Sequence, residues 1–231
     1  MGLSLPPPSS SDEAITMAAD RPEGAGRLAT VISLLAFLFS GLSYYESALK
    51  QADLDVFVPP VIQYGRDSGG DIELFAVPIT IANGGSNTGT VLAMDLTVES
   101  LAANADPHKK IYYSAFVGEH SRKDDAPNKS FAPIAIPGRA TYTETIRFYP
   151  QGNPLPKLVQ DAGEFKFTLA LTVATPSEPS WLERILKVRT PPPLVFTRTL
   201  PWISEQQLGL RRVTIAMHAR DWKPTLSGAQ Q

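Results

Sequence analysis

Two hydrophobic patterns divide the chain. From Leu28 to Tyr45 there are 18 residues without a charge, bounded by Arg27 and Glu46. Val31, Ile32, Leu34, Leu35, Phe37, Leu38, Phe39 and Leu42 lie within it on nearly every helical face. At about 1.5 Å per residue such a helix spans roughly 27 Å, close to the hydrocarbon thickness of a bilayer. Tyr44 and Tyr45 end the stretch where an aromatic belt is expected. The pattern predicts a transmembrane helix over 27–48. A leader of 27 residues, an apolar core longer than about 7–15 residues and no small-x-small cleavage site make it an uncleaved signal anchor rather than a cleaved signal peptide. Ala29, Ser33, Ala36, Ser40 and Ser43 are spaced 4, 3, 4 and 3 and form one small-residue stripe, which favours close helix–helix approach in lipid.

Beyond Leu54 the period changes to two. Leu92, Met94, Leu96 and Val98 alternate with Ala93, Asp95, Thr97 and Glu99. Phe165, Phe167, Leu169, Leu171 and Val173 alternate with polar or small residues, and Phe75, Val77, Ile79 and Ile81 share one face. Ala140, Tyr142, Ile146 and Phe148 do the same, with Glu144 interrupting. Alternation of this kind marks strands with one buried face. Further strands are expected over 55–64, 111–117, 131–136, 194–200 and 213–218. Pro78 inside its run points to an edge or a bulge. Seven to nine strands without a βαβ rhythm predict an antiparallel Ig-like β-sandwich over 54–220, between a disordered tail at 1–26 and a flexible one at 221–231. Ser180 with Glu183, and Ser204 with Gln207, have capping-box spacing and predict two short helical insertions.

Charge sharpens this picture. The total of −2 hides a split: residues 1–27 carry two basic and four acidic groups, residues 28–183 carry 11 and 17, and residues 184–231 carry eight and two. The C-terminal part is therefore +6 and the body −6. Trp181 with Arg184, Lys187 and Arg189, together with Arg211 and Arg212, is a candidate contact for lipid headgroups or an acidic partner. The near-neutral total argues against nucleic-acid binding.

Composition and motifs remove most chemistry. With no cysteine there is no disulfide framework, thiolate metal site or thiol nucleophile. His108, His120 and His218 lack metal-site pairing, and neither a phosphate-cradling loop nor a nucleophile elbow is present. Glu119, His120, Ser121, Asp124 and Asp125 form the one catalytic-looking loop, and that loop, or Asp67 with Asp71 and Glu73, offers a weak oxygen-ligand set for Ca²⁺. Both read more simply as solvated loops. No catalytic residue, metal or cofactor is expected.

The run from Ile79 to Val98, with Asn83, Gly84 and Gly85 followed by Gly89, Thr90 and Val91, resembles the second-to-third strand connection of Ig-like and fibronectin-III-like sandwiches. With the N-terminal anchor, the layout is similar to single-pass bacterial envelope proteins that carry such an ectodomain. The resemblance implies a non-catalytic interaction or scaffold module of the cell envelope. Its domain would lie in the periplasm, with the lipid bilayer and a protein partner, or a second copy through the transmembrane helix, as its contacts. A membrane-tethered enzyme using the 119–125 loop and a ligand- or lipid-binding sandwich are the alternatives.

Overall fold

The computed structural model describes residues 23–66, 72–102, 109–118, 129–152, 162–175, 190–204, 207 and 214–222. The chain divides into two compact units, Met1–Ser43 and Tyr44–Gln231. Most of both expected tails lies outside the described residues.

Helix α1 covers Glu23–Tyr44 and a single π-helical turn, Tyr45–Leu49, follows it. The stretch Gly26–Leu49 is long and apolar enough to cross a membrane, and its side chains are not buried in protein. The Thr30 hydroxyl donates to the Gly26 carbonyl at 2.9 Å, so this polar group is satisfied within the helix itself.

Eleven strands are described: β1 (Leu54–Phe57), β2 (Val61–Arg66), β3 (Glu73–Asn83), β4 (Gly89–Ser100), β5 (Lys110–Val117), β6 (Lys129–Ser130), β7 (Ile134–Ile136), β8 (Thr141–Pro150), β9 (Gly163–Val173), β10 (Leu194–Leu200) and β11 (Thr214–His218). Eight of them close on themselves in the order β5-β8-β3-β2-β11-β10-β9-β4, with β4 pairing back onto β5. Every pair is antiparallel. The β3–β4 and β8–β9 connections join strands that are not neighbours, which is Greek-key wiring.

This closed barrel replaces the expected Ig-like sandwich. A sandwich leaves two sheets with open edges, whereas here β5 is paired on both sides, by β8 and by β4. Alternation could not separate the two architectures, because both bury one face of every strand. What permits closure is local bending. Register shifts between Val91 and Ala93 in β4, and between Ser114 and Phe116 in β5, insert an extra residue and coil the strands.

The first shift also corrects one core assignment. Met94, Leu96 and Val98 are buried as the alternation predicts, but Leu92 is 43% exposed. The bulge gives the inward place to Val91, which is fully buried. Phe165, Phe167, Leu169 and Leu171, and Phe75, Val77, Ile79 and Ile81, all enter the core as their alternation requires. Around Phe75, Tyr64 and Tyr112 and Phe167 pack with ring centroids 5.0–5.5 Å apart.

The strand expected over 55–64 is two strands, because Pro59 and Pro60 interrupt the ladder. That break explains Pro78. Strand β3 pairs with β2 through Glu73–Ala76 and with β1 through Thr80–Asn83. Residues 77–79 thus face the Val58–Pro60 gap, an edge-like position inside a central strand. Arg198 spans the same region: its guanidinium donates to the Pro59 carbonyl, and the Ala219 N–H donates to the Pro60 carbonyl at 2.8 Å. These bonds support the β10–β11 seam, where one pair, Thr199 with His218, is described.

The barrel has two ends. At the entry end the chain arrives through Lys50 and Asp53, close to the end of β3 and the start of β4. Asn83 is buried there and binds almost only main chain. Its Nδ2 donates to the Asn87, Ile136 and Pro137 carbonyls at 2.9–3.2 Å. Its Oδ1 accepts from the Asp53 and Gly85 N–H groups at 3.2 and 3.0 Å. Gly85 is required because a Cβ would collide with the Gln51–Ala52 backbone, 2.8 Å from Ala52 Cα. Gly138 is held against Ser86 in the same way. The far end is formed by Arg66, Glu73, Ser100, Lys110, Pro150, Gly163, Leu200 and Thr214.

Candidate functional site

The far end carries the densest polar chemistry among the described residues. Arg66 ends β2 and Glu73 begins β3, and the two are register partners across a hairpin. The inward period of β2 places Tyr64 beside them, and that of β5 brings Tyr112 from across the barrel. Glu73 is 0% exposed. Its carboxylate accepts from the Tyr64 hydroxyl at 3.2 Å and from the Tyr112 hydroxyl. Lys110 Nζ lies 3.8 Å from Oε1. Arg66 Nε donates to the Tyr64 hydroxyl at 3.1 Å. A relay therefore runs from Arg66 through Tyr64 to Glu73, with Tyr112 and Lys110 converging on the same carboxylate.

Burial and the adjacent Glu73 charge push both phenols well above the ordinary tyrosine range, Arg66 partly offsetting this at Tyr64. Both tyrosines therefore stay protonated near neutral pH and act as donors, not as bases or nucleophiles. The arrangement stabilises a buried carboxylate with oriented donors and cations. Outside this cluster, Glu99 binds Lys109 at 2.8 Å and Lys166 at 3.2 Å, which holds its carboxyl below the usual range.

Two further buried cations have orphaned nitrogens. Arg198 Nε and Arg147 Nε lack hydrogen-bond partners, and desolvation lowers the affinity of both guanidinium groups for their protons. Arg198 stacks over the Phe196 ring, 4.8 Å from its centroid. His218 stacks on Trp222 with centroids 4.1 Å apart, and its Nδ1 is also buried without a partner.

The residues singled out from the sequence are distributed differently. Ala29, Ser33, Ala36, Ser40 and Ser43 all lie on α1 and are exposed. Trp181, Arg184, Lys187, Arg189, Arg211 and Arg212 lie outside the described residues, as do the 119–125 loop, His108, Asp67 and Asp71. Residues 176–189 leave from the end of β9, where Ala174 N–H binds the Thr90 carbonyl at the entry end. Residues 208–213 lead into Thr214, which pairs with Gly65 at the far end. Glu73, offered with Asp67 and Asp71 as a loop ligand, is a buried strand residue instead. Its partners Tyr64 and Tyr112 carry no motif, and their one signal in the sequence is that each occupies an inward position of its strand. Among the described residues no group of three His, Cys, Asp or Glu side chains is arranged to hold a metal.

No protein-family model matches the chain, and no curated protein matches it significantly. Among solved structures, a protein assigned as ApaA from Bordetella pertussis aligns with 75% of this chain and 98% of its own, at 13% identity and a TM-score of 0.25. A score of that size does not establish a shared fold.

Proposed function

We propose that this chain is a membrane-anchored, non-catalytic interaction module. In this reading α1 and the turn after it form a single-pass anchor in a bacterial inner membrane, and the barrel is displayed in the periplasm to bind a protein partner. The observation that carries the reading is the pairing of an apolar helix of membrane-spanning length, unburied by protein, with a barrel whose interior is filled. Tyr64, Phe75, Phe148, Phe167, Met94 and Leu96 occupy the space that a lipid or ligand carrier of eight strands would need open. The polar cluster inside is internally compensated and its phenols stay protonated, which favours a structural role over a catalytic one. On the outer wall, Ile111 and Tyr113 of β5 are 46% and 45% exposed, beside the Phe116–Tyr149 edge-to-face pair. An exposed apolar strip of this kind suits a protein contact.

Reporter fusions at Gln231, one active only in the cytoplasm and one only outside it, test the arrangement on the full chain. Activity of the external reporter, with retention in the membrane fraction after alkaline extraction, is the expected result. Release by alkali removes the anchor. Cytoplasmic activity reverses the topology.

A further inference from the structure

We infer that the entry end of the barrel is seated in the lipid headgroup layer, held there without a slack linker by the segment that ends the anchor; this rests on the reading of Gly26–Leu49 as a membrane span. Residues 45–50 belong to the same compact unit as the barrel. Glu46 is the first charge after the 18 uncharged residues Leu28–Tyr45, so it marks the depth at which the chain leaves hydrocarbon. Its carbonyl is already bonded to the barrel: Arg139 Nη2 donates to it at 2.7 Å and the Ser86 hydroxyl at 3.2 Å. Four residues on, the Lys50 carbonyl accepts from the N–H groups of Ser86 and Asn87 at 3.0 and 3.1 Å, and from the Ser86 hydroxyl at 3.1 Å. Arg139 is itself fixed. It occupies the left-handed region at φ 60° and its N–H donates to the Gly85 carbonyl at 3.0 Å.

The headgroup layer of one leaflet is roughly 5–8 Å thick, being half the difference between full and hydrocarbon thickness. One residue advances the chain by at most about 3.8 Å. A single hydrogen bond separates Glu46 from Ser86 and Arg139, so these loops cannot stand clear of that layer while Glu46 is at its inner edge. Ser86, Asn87, Thr88 and Arg139 become membrane-surface residues. The far end, with its Glu73 cluster, lies one strand length from the entry end: β8 has ten residues, about 20–30 Å of rise once barrel tilt is allowed for. The loops at 84–88 and 137–139 are then not open to a protein partner.

The absence of cysteine makes the test direct, since single labels can be placed at will. Ser33→Cys, Thr88→Cys and Gln151→Cys in the full chain, each carrying a small fluorophore, are reconstituted into phosphatidylcholine–phosphatidylglycerol vesicles. Some vesicles carry a nitroxide on the headgroup and others within the acyl chain. Acyl-chain quenching at residue 33, headgroup quenching at residue 88 and neither at residue 151 is the expected pattern. Quenching at 33 with residue 88 as bright as residue 151 overturns the seated barrel and leaves the anchor standing. No quenching at 33 removes the anchor and the inference together.

Discussion

At the entry end of the barrel, polar groups are satisfied almost wholly by main chain: Asn83 contacts five backbone atoms, and the carbonyls of Glu46 and Lys50 are bound by Ser86, Asn87 and Arg139. At the far end the same task falls to side chains, with two phenols and Lys110 gathered on one buried carboxylate and Arg66 bound to one of those phenols. The difference is one of tolerance. Backbone bonds do not titrate, and they demand close approach, so the entry end is sensitive to volume and indifferent to pH. A side-chain network accommodates small changes of shape but depends on charge and protonation, so the far end should respond in the opposite way.

The largest effect expected from breaking this contrast is at Glu73. Glu73→Ala removes the acceptor of two buried hydroxyls and the anion beside Lys110, and removing one member of a buried ionic network costs about 3–5 kcal/mol. Because Lys110 is partly exposed, we expect the lower end of that range in urea unfolding at pH 7. A loss below about 1 kcal/mol would mean that the network is solvated and that the far end is not held by charge. At the entry end the matching change is Gly85→Ala, which drives a methyl into the Gln51–Ala52 backbone. Neither partner can rotate away, so a loss of about 3 kcal/mol is expected, at the upper end of overpacking costs. This loss should be the same at pH 7 and pH 10.5.

The pH contrast can be read without mutation. Both far-end tyrosines have folded pKa values raised above the unfolded value of about 10, so the stability they contribute is complete below pH 10 and falls as pH rises above it. There the unfolded chain releases two protons that the folded chain keeps, and their contribution should decline with a limiting slope of about 2.7 kcal/mol per pH unit, reached about one unit above pH 10. Tyr112→Phe should remove about 1.4 kcal/mol per unit of that limiting slope. Unfolding curves between pH 9.5 and 11 measure it, and a slope unchanged by the substitution would refute the assignment.

This contrast also shows where the sequence was readable. The period of two identified Phe75, Leu96, Phe167 and their neighbours as core because burial acts on each strand separately. It could not separate a sandwich from a barrel, since closure depends on which strands pair, and β4 with β5 is decided by two bulges and long-range register. It also assigned Leu92 inward, because a bulge changes phase without changing the residues on either side. The far-end network escaped for a related reason. Tyr64, Glu73 and Tyr112 are separated by nine and 39 positions, and Glu73 resembled one more acid in a polar loop until its hairpin register with Arg66 was known. The Asn83–Gly84–Gly85 motif was visible as a turn, but its purpose, clamping incoming chain to crossover, requires the contacts of Asp53 and Ile136.

Local signals survive where the partner is close in sequence, and the smallest expected effect comes from one of these. The spacing of Ser204 and Gln207 alone predicts a capping box. In the structure the Gln207 N–H donates to Ser204 Oγ at 3.2 Å, and the Ser204 N–H donates to Gln207 Oε1 at 3.1 Å. The motif follows β10 on the far-end side, yet it is neither ionic nor close-packed, so it belongs to neither closure. Ser204→Ala removes one acceptor at an exposed site and should cost about 1 kcal/mol or less. The cost should be equal at pH 7 and pH 10.5 and additive with Glu73→Ala, because no shared partner links the two sites. A double-mutant cycle in urea checks this. Coupling above about 0.5 kcal/mol would show that the far-end network reaches Ser204 and Gln207 beyond β10.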